Sequence, residues 1–117
     1  MPQDPDSFGV ATRRDGATAV VELEGELDLH GVGILTAAVG DLLGEPPPRS
    51  IAVDAARLTF IDSAGLRALL VAQRDAEAAG AVLGLVNSSP PVDRVLGMTG
   101  LHARLELGRP PAPAWQA

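Results

Sequence analysis

The segment Leu58-Thr59-Phe60-Ile61-Asp62-Ser63-Ala64-Gly65-Leu66 holds the most suggestive chemical group of the chain, the Ser63 hydroxyl. A serine hydroxyl does chemistry in two ways: it attacks a substrate, or another protein reaches and modifies it. The first way needs an activating base and a sharp Gly-x-Ser-x-Gly turn. Asp62-Ser63-Ala64-Gly65 lacks that turn, and the histidines, His30 and His102, have no metal-ligand companion at helical or hairpin spacing. The second way needs exposure. Asp62 is a good helix N-cap, and Ile61 with Leu66 then has the spacing of a hydrophobic staple. Shifting the start by one residue makes Ser63 the cap. Either way the hydroxyl opens a helix beside backbone N–H groups, with small Ala64 and Gly65 leaving it accessible. An Asp-Ser helix start also has a plainer reading, capping alone, and Asp28 carries the same pair of readings.

Two further motifs point away from nucleotide chemistry. Gly31-Val32-Gly33-Ile34-Leu35-Thr36 is like a dinucleotide fingerprint, but Thr36 stands where the third small residue belongs, so it reads as a loose helix start. The chain has no lysine, and with it no Gly-Lys-Ser/Thr phosphate loop. No cofactor and no metal site are expected.

The elements that must position Ser63 follow from periodicity. A strand near Phe8 to Arg13 and another from Thr18 to Glu24 flank the turn Arg14-Asp15-Gly16. Asp28 caps a helix reaching about Gly44, which Pro46-Pro47-Pro48 ends. Ile51 to Val53 begins a short apolar strand of the kind buried inside a sheet. The clearest helix runs from about Ser63 to Ala79, with Leu66, Leu69, Leu70 and Gln73 on one side and Gly80 as its stop. Ala81 to Val86 reads as a buried strand, Pro90-Pro91 opens a short helix, and Leu101 to Leu107 alternates as a last strand. This order predicts an α/β fold: a mixed four- to five-stranded sheet packed against three or more helices. Residues 1–7 read as a flexible N-terminus, 8–107 as one domain, and 108–117 as a flexible Pro-rich tail.

Composition narrows the function. The chain has 117 residues, 46% hydrophobic, which suits a single domain with a real core. Its net charge of -6 and lack of any basic cluster disfavour nucleic acid and anionic membrane as partners. With only 3% aromatics, a base-stacking surface is excluded as well. There is no Cys, which removes disulfides and thiol chemistry and fits a reducing compartment. The start, MPQDPDSF, has no signal-peptide pattern and no run is long enough to span a bilayer, so a cytoplasmic location is expected.

Four blocks together resemble the STAS domain (the sulfate-transporter and anti-sigma-antagonist fold), in particular the stand-alone bacterial anti-anti-sigma factors. Gly25-Glu26-Leu27-Asp28 resembles the Gly-Glu-Leu-Asp after the family's second strand, and Leu58 to Leu66 its phosphorylation loop. Ser89-Pro90-Pro91-Val92 with Arg94-Val95-Leu96 resembles the third-helix entry, and Met98-Thr99-Gly100-Leu101 the approach to the last strand. The resemblance covers about residues 8–107. Two departures stand out: Ala64 replaces the usual second Ser or Thr, and Pro110, Pro111 and Pro113 oppose the usual C-terminal helix.

The resemblance implies an anti-sigma factor antagonist and not an enzyme. Its partners would be an ATP-binding anti-sigma factor serine kinase, which it binds when unphosphorylated so that a sigma factor is released, and a serine phosphatase. The resemblance makes Ser63 the phosphorylation site, and puts Asp28, Asp62, Ser63, Ala64, Gly65 and Leu66 at the partner surface. No small-molecule substrate is implied. Two rivals stand beside it: an unphosphorylated STAS scaffold subunit of a stress-signalling or lipid-transport complex, and a nucleotide-binding STAS protein.

Overall fold

The computed structural model describes residues 7–44 and 46–107. The expectations for residues 1–6 and for the tail from residue 108 lie outside the described residues. In chain order the elements are β1 (Gly9–Asp15), β2 (Thr18–Leu27), a 3-10 turn (Leu29–Gly31), α1 (Val32–Leu42), β3 (Ser50–Ile61), α2 (Ser63–Ala78), β4 (Val82–Ser88), α3 (Pro90–Thr99) and α4 (His102–Leu107).

The sheet runs β1-β2-β3-β4, with β1 antiparallel to β2 and the other neighbours parallel. Both parallel crossovers step the same way across the sheet. Right-handed connections therefore bring α1 and α2 to the same face. One core cluster accordingly joins Val21, Val53 and Leu85 of the strands to Leu35 of α1, Leu69 of α2, Leu96 of α3 and Leu105 of α4. The opposite face of the sheet holds only a small cluster, Val20, Ala52 and Val86. The sheet is mixed, as expected, with four strands among the described residues.

The expected last strand at Leu101 to Leu107 is corrected: residues His102–Leu107 form α4. Its six residues are too few to separate the two periods. Leu101 and Leu105 satisfy alternation and also lie four apart, and the Leu105 N–H donates to the Leu101 carbonyl at 3.1 Å. Gly100 at φ +72 closes α3, its N–H donating to the Leu96 carbonyl at 3.0 Å, and turns the chain directly into this second helix. Fully buried Gln73 holds α4 in place, its Nε2 donating to the carbonyls of Leu83 at 3.0 Å and Arg104 at 3.1 Å.

The strand expected to begin at Ile51 runs twelve residues, to Ile61. Bulges explain why alternation conceals it. The β2–β3 register shifts between Glu22 and Glu24 and again between Gly25 and Glu26, and the β3–β4 register shifts after Val53. Asp28 caps the short 3-10 turn, and α1 proper starts at Val32 behind Gly31, which makes no side-chain cap.

Candidate functional site

Two strand–helix junctions of the same form stand side by side at the carboxyl end of the parallel sheet. Leu27 ends β2 opposite Ile61, which ends β3. Each strand is followed by an aspartate in extended conformation: Asp28 (φ -128°, ψ -167°) and Asp62 (φ -113°, ψ -173°). Asp28 Oδ1 accepts the His30 N–H at 2.9 Å, and Asp62 Oδ1 accepts the Gly65 N–H at 2.9 Å. The Asp62 N–H donates to the Leu27 carbonyl at 3.3 Å, lacing the second junction to the first. The carboxyl edge of parallel strands is where open α/β sheets place their sites.

Asp62, not Ser63, is the cap. Ser63 is therefore the first residue of α2, and it is exposed. Among the described residues its hydroxyl makes no hydrogen bond, so it is left for an incoming group. Asp28, Asp62 and Ala64 around it are half-buried. Replacing Asp62 with Ala removes the acceptor for one first-turn N–H and should cost about 1 kcal/mol. Urea unfolding should show this as a lower midpoint with an unchanged m-value.

Gly65 and Leu66, expected at the partner surface, are buried in the chain on its own, where they set the position of Ser63. A Cβ on Gly65 would lie 2.3 Å from the Leu27 carbonyl oxygen and 2.8 Å from Leu27 Cγ, so only glycine lets α2 start this close to the end of β2. Leu66 and Ile61, 5% and 4% exposed, fill the core on either side of the cap, as the staple spacing required. The sequence signal for the glycine was its place three residues after the cap, where it had read as a spacer keeping Ser63 accessible.

In the Gly31-Val32-Gly33 start, Gly31 serves packing, whereas a Cβ on Gly33 would meet nothing within 4 Å. A Cβ on Gly31 would lie 2.9 Å from Phe8 Cδ2, so the aromatic ring occupies the space in front of that glycine. Beside it, Phe8, Glu26, Asp28, His30 and Ile34 line an open cleft of about 260 Å³. Sequence reasoning had singled out neither Phe8 nor this cleft. Among the described residues no group of three or more His, Cys, Asp or Glu is placed to hold a metal ion. None of their helices is long and apolar enough to cross a membrane.

Comparison with known proteins bears on what this junction pair is. A family model described as "Mlab, STAS domain" matches residues 10–108. The chain belongs to the STAS domain family. This STAS domain is 32% identical over 84 residues to an anti-sigma F factor antagonist of Lysinibacillus sphaericus, covering 72% of each chain. It is similar to the solved anti-sigma factor antagonist SpoIIAA in its unphosphorylated form, with TM-score 0.70 and 28% identity, covering 93% of this chain and 90% of that one. The phosphorylated form of the Bacillus protein SpoIIAA matches too, with TM-score 0.65 and 28% identity, covering 93% and 94%.

Proposed function

We propose that this protein is an anti-sigma factor antagonist that binds an anti-sigma factor serine kinase when Ser63 is bare and is switched off by phosphorylation of Ser63. The observation that carries this reading is the exposed, uncapping Ser63 hydroxyl at the first position of α2. The similarity to anti-sigma factor antagonists supports it, as does a relative solved both with and without its phosphate.

Phosphoryl transfer joins Ser63 Oγ to the γ-phosphorus of ATP, breaks the bond to the β-phosphate oxygen, and passes the hydroxyl proton to a base of the kinase. The product carries about -1.5 to -2 charges at pH 7. At a helix N-terminus that charge meets the positive end of the helix dipole, a local gain of about 0.3–1 kcal/mol where exposed. Repulsion from Asp62, and from Asp28 across the junction, acts against this gain. Neither effect can unfold a packed domain, so the change is felt at the interface. A bare serine beside Ala64 lies flush against a close-fitting partner. A phosphate brings bulk and a desolvation cost that such a surface does not meet. A phosphatase restores the hydroxyl.

Incubation with ATP and the cognate kinase, followed by intact mass, tests this. The wild-type chain should gain one phosphate and Ser63→Ala none, while Ser63→Ala still binds the kinase. One phosphate on the Ser63→Ala chain moves the site elsewhere. A second reading, an unphosphorylated scaffold subunit, draws on the Mlab part of the family description rather than on the site geometry. In that case the wild-type chain takes up no phosphate.

A further inference from the structure

The strands β2, β3 and β4 run parallel, and sheets of parallel strands are as a rule covered on both faces. Their sequences agree, with the unbroken apolar runs Ala19-Val20-Val21, Ile51-Ala52-Val53 and Leu83-Gly84-Leu85-Val86. Helices cover one face, through Val21, Val53 and Leu85. On the other face the register sets Val20, Ala52 and Gly84 side by side in a row across the sheet. Val20 and Ala52 are 0% and 1% exposed, Gly84 is buried, and Val86 beside the row is 9% exposed. Among the described residues no helix adds a side chain to this cluster. Alanine and glycine are too short to shield their neighbours, so the row calls for a cover from outside the described elements.

The row also has the shape of a groove, because Ala52 and Gly84 form its floor. It opens at β4, the edge strand, where Val82 on the same face is 45% exposed. The end of the described chain lies at that same edge. Gln73 Nε2 donates both to the Leu83 carbonyl and to the Arg104 carbonyl, which sets α4 beside the start of β4. From Leu107 the sequence continues Gly108-Arg109-Pro110-Pro111-Ala112-Pro113-Ala114-Trp115, which holds the chain's one tryptophan. Eight residues in polyproline conformation reach about 25 Å. Crossing from β4 to β2 takes two strand spacings, about 10 Å, which leaves about 15 Å for the turn around the edge. Three prolines oppose pairing along β4 as a fifth strand, so the segment suits a path across the strands. Charge agrees as well: Glu22 and Asp54 pair in the next row of this face, and the segment carries Arg109. Residues 1–6 suit the groove less. They join the sheet where Ser7 meets Gly25, towards the carboxyl end of β2, and they carry two aspartates and no aromatic ring.

We propose that residues 108–115 fold back around the β4 edge and cover the second face of the sheet, with Trp115 seated over the Val20–Ala52–Gly84 row. The segment then does for this face what α1 and α2 do for the other, and it replaces the expectation of a flexible tail. An indole buries some 150–250 Å², enough to span a row of side chains this small. With this face closed within the chain, a partner is left the junction end of the sheet. The inference does not depend on the switch at Ser63.

The test uses the full chain. Proton–proton Overhauser contacts should join the Trp115 ring to the methyl groups of Val20 and Val86 at every protein concentration. Indole emission should lie to the blue of that of the urea-unfolded chain, with slower quenching by acrylamide. Trp115→Ser changes no residue of the sheet or helices, and should lower the unfolding midpoint by at least about 5 °C. Gln116→Ser, one residue beyond, should stay within about 2 °C of wild type. Absence of the Trp115 contacts, or a Trp115→Ser midpoint as near to wild type as that of Gln116→Ser, overturns the proposal. Contacts that appear only between differently labelled chains in a mixed sample assign the face to a second copy, and overturn the cover within one chain.

Discussion

Ser63→Asp should fold as the wild type does and yet bind the kinase several-hundredfold more weakly, a loss of about 3–4 kcal/mol. The two halves of this result have separate causes. Folding is spared because Ser63 is exposed and Asp62, not Ser63, satisfies the Gly65 N–H. A carboxylate at the first position of α2 also faces the favourable end of the helix dipole. Binding suffers because a charge that is well solvated in the isolated protein must lose water at the interface. Thermal unfolding checks the first half, with a midpoint within a few degrees of wild type. Titration with the kinase checks the second. Wild-type affinity would count against the charge-and-bulk account.

Gly65→Ala should be the most destabilising single-methyl change at the site. The added carbon would stand 2.3 Å from the Leu27 carbonyl oxygen, a backbone atom with no side-chain rotation to relieve it. The start of α2 must move away from β2, disturbing the Asp62–Leu27 hydrogen bond and the packing of Leu66. Alanine's better helix propensity returns only about 1 kcal/mol of this. We expect a net loss of about 2–3 kcal/mol, in the range of overpacked cores. For a domain of this size, that lowers the unfolding midpoint by roughly 10–20 °C. Gly40→Ala on α1 provides the contrast, since a Cβ there meets nothing within 4 Å. It should be neutral or stabilising by up to about 1 kcal/mol. Differential scanning calorimetry of the two variants reads both effects, and equal midpoints would show that the α2 start gives way without strain.

The parts of this fold legible in the sequence are those fixed by local chemistry. Asp62 and Asp28 are caps because a short carboxylate before an apolar-periodic run has an N–H to accept, and both do so at 2.9 Å. Gly80 ends α2 because its φ of +85 suits glycine, and the Ala81 N–H closes back on the Ala76 carbonyl at 2.8 Å. Ser63 was legible for the same reason: its place at a helix start follows from its neighbours.

What the sequence hid was decided by contacts distant along the chain. Gly65 faces a strand that ends 38 positions earlier, so its inward role appears only once β2 and β3 are paired. Phe8 closes over Gly31 from the start of β1. Two register shifts between β2 and β3 disguised the length of β3, and Leu101 with Leu105 fitted a strand and a helix alike. Leu29 and Ile34 stand exposed at 70% and 49%, which no local signal announces, because exposure depends on what the rest of the chain leaves uncovered.

The central claim is that the state of the Ser63 hydroxyl sets the affinity for the kinase. Titrating the kinase with the bare chain, and then with the same chain carrying one phosphate on Ser63, measures this directly. The bare chain should bind several-hundredfold more tightly than the phosphorylated one, about 3–4 kcal/mol. Equal affinities for the two forms would contradict the account.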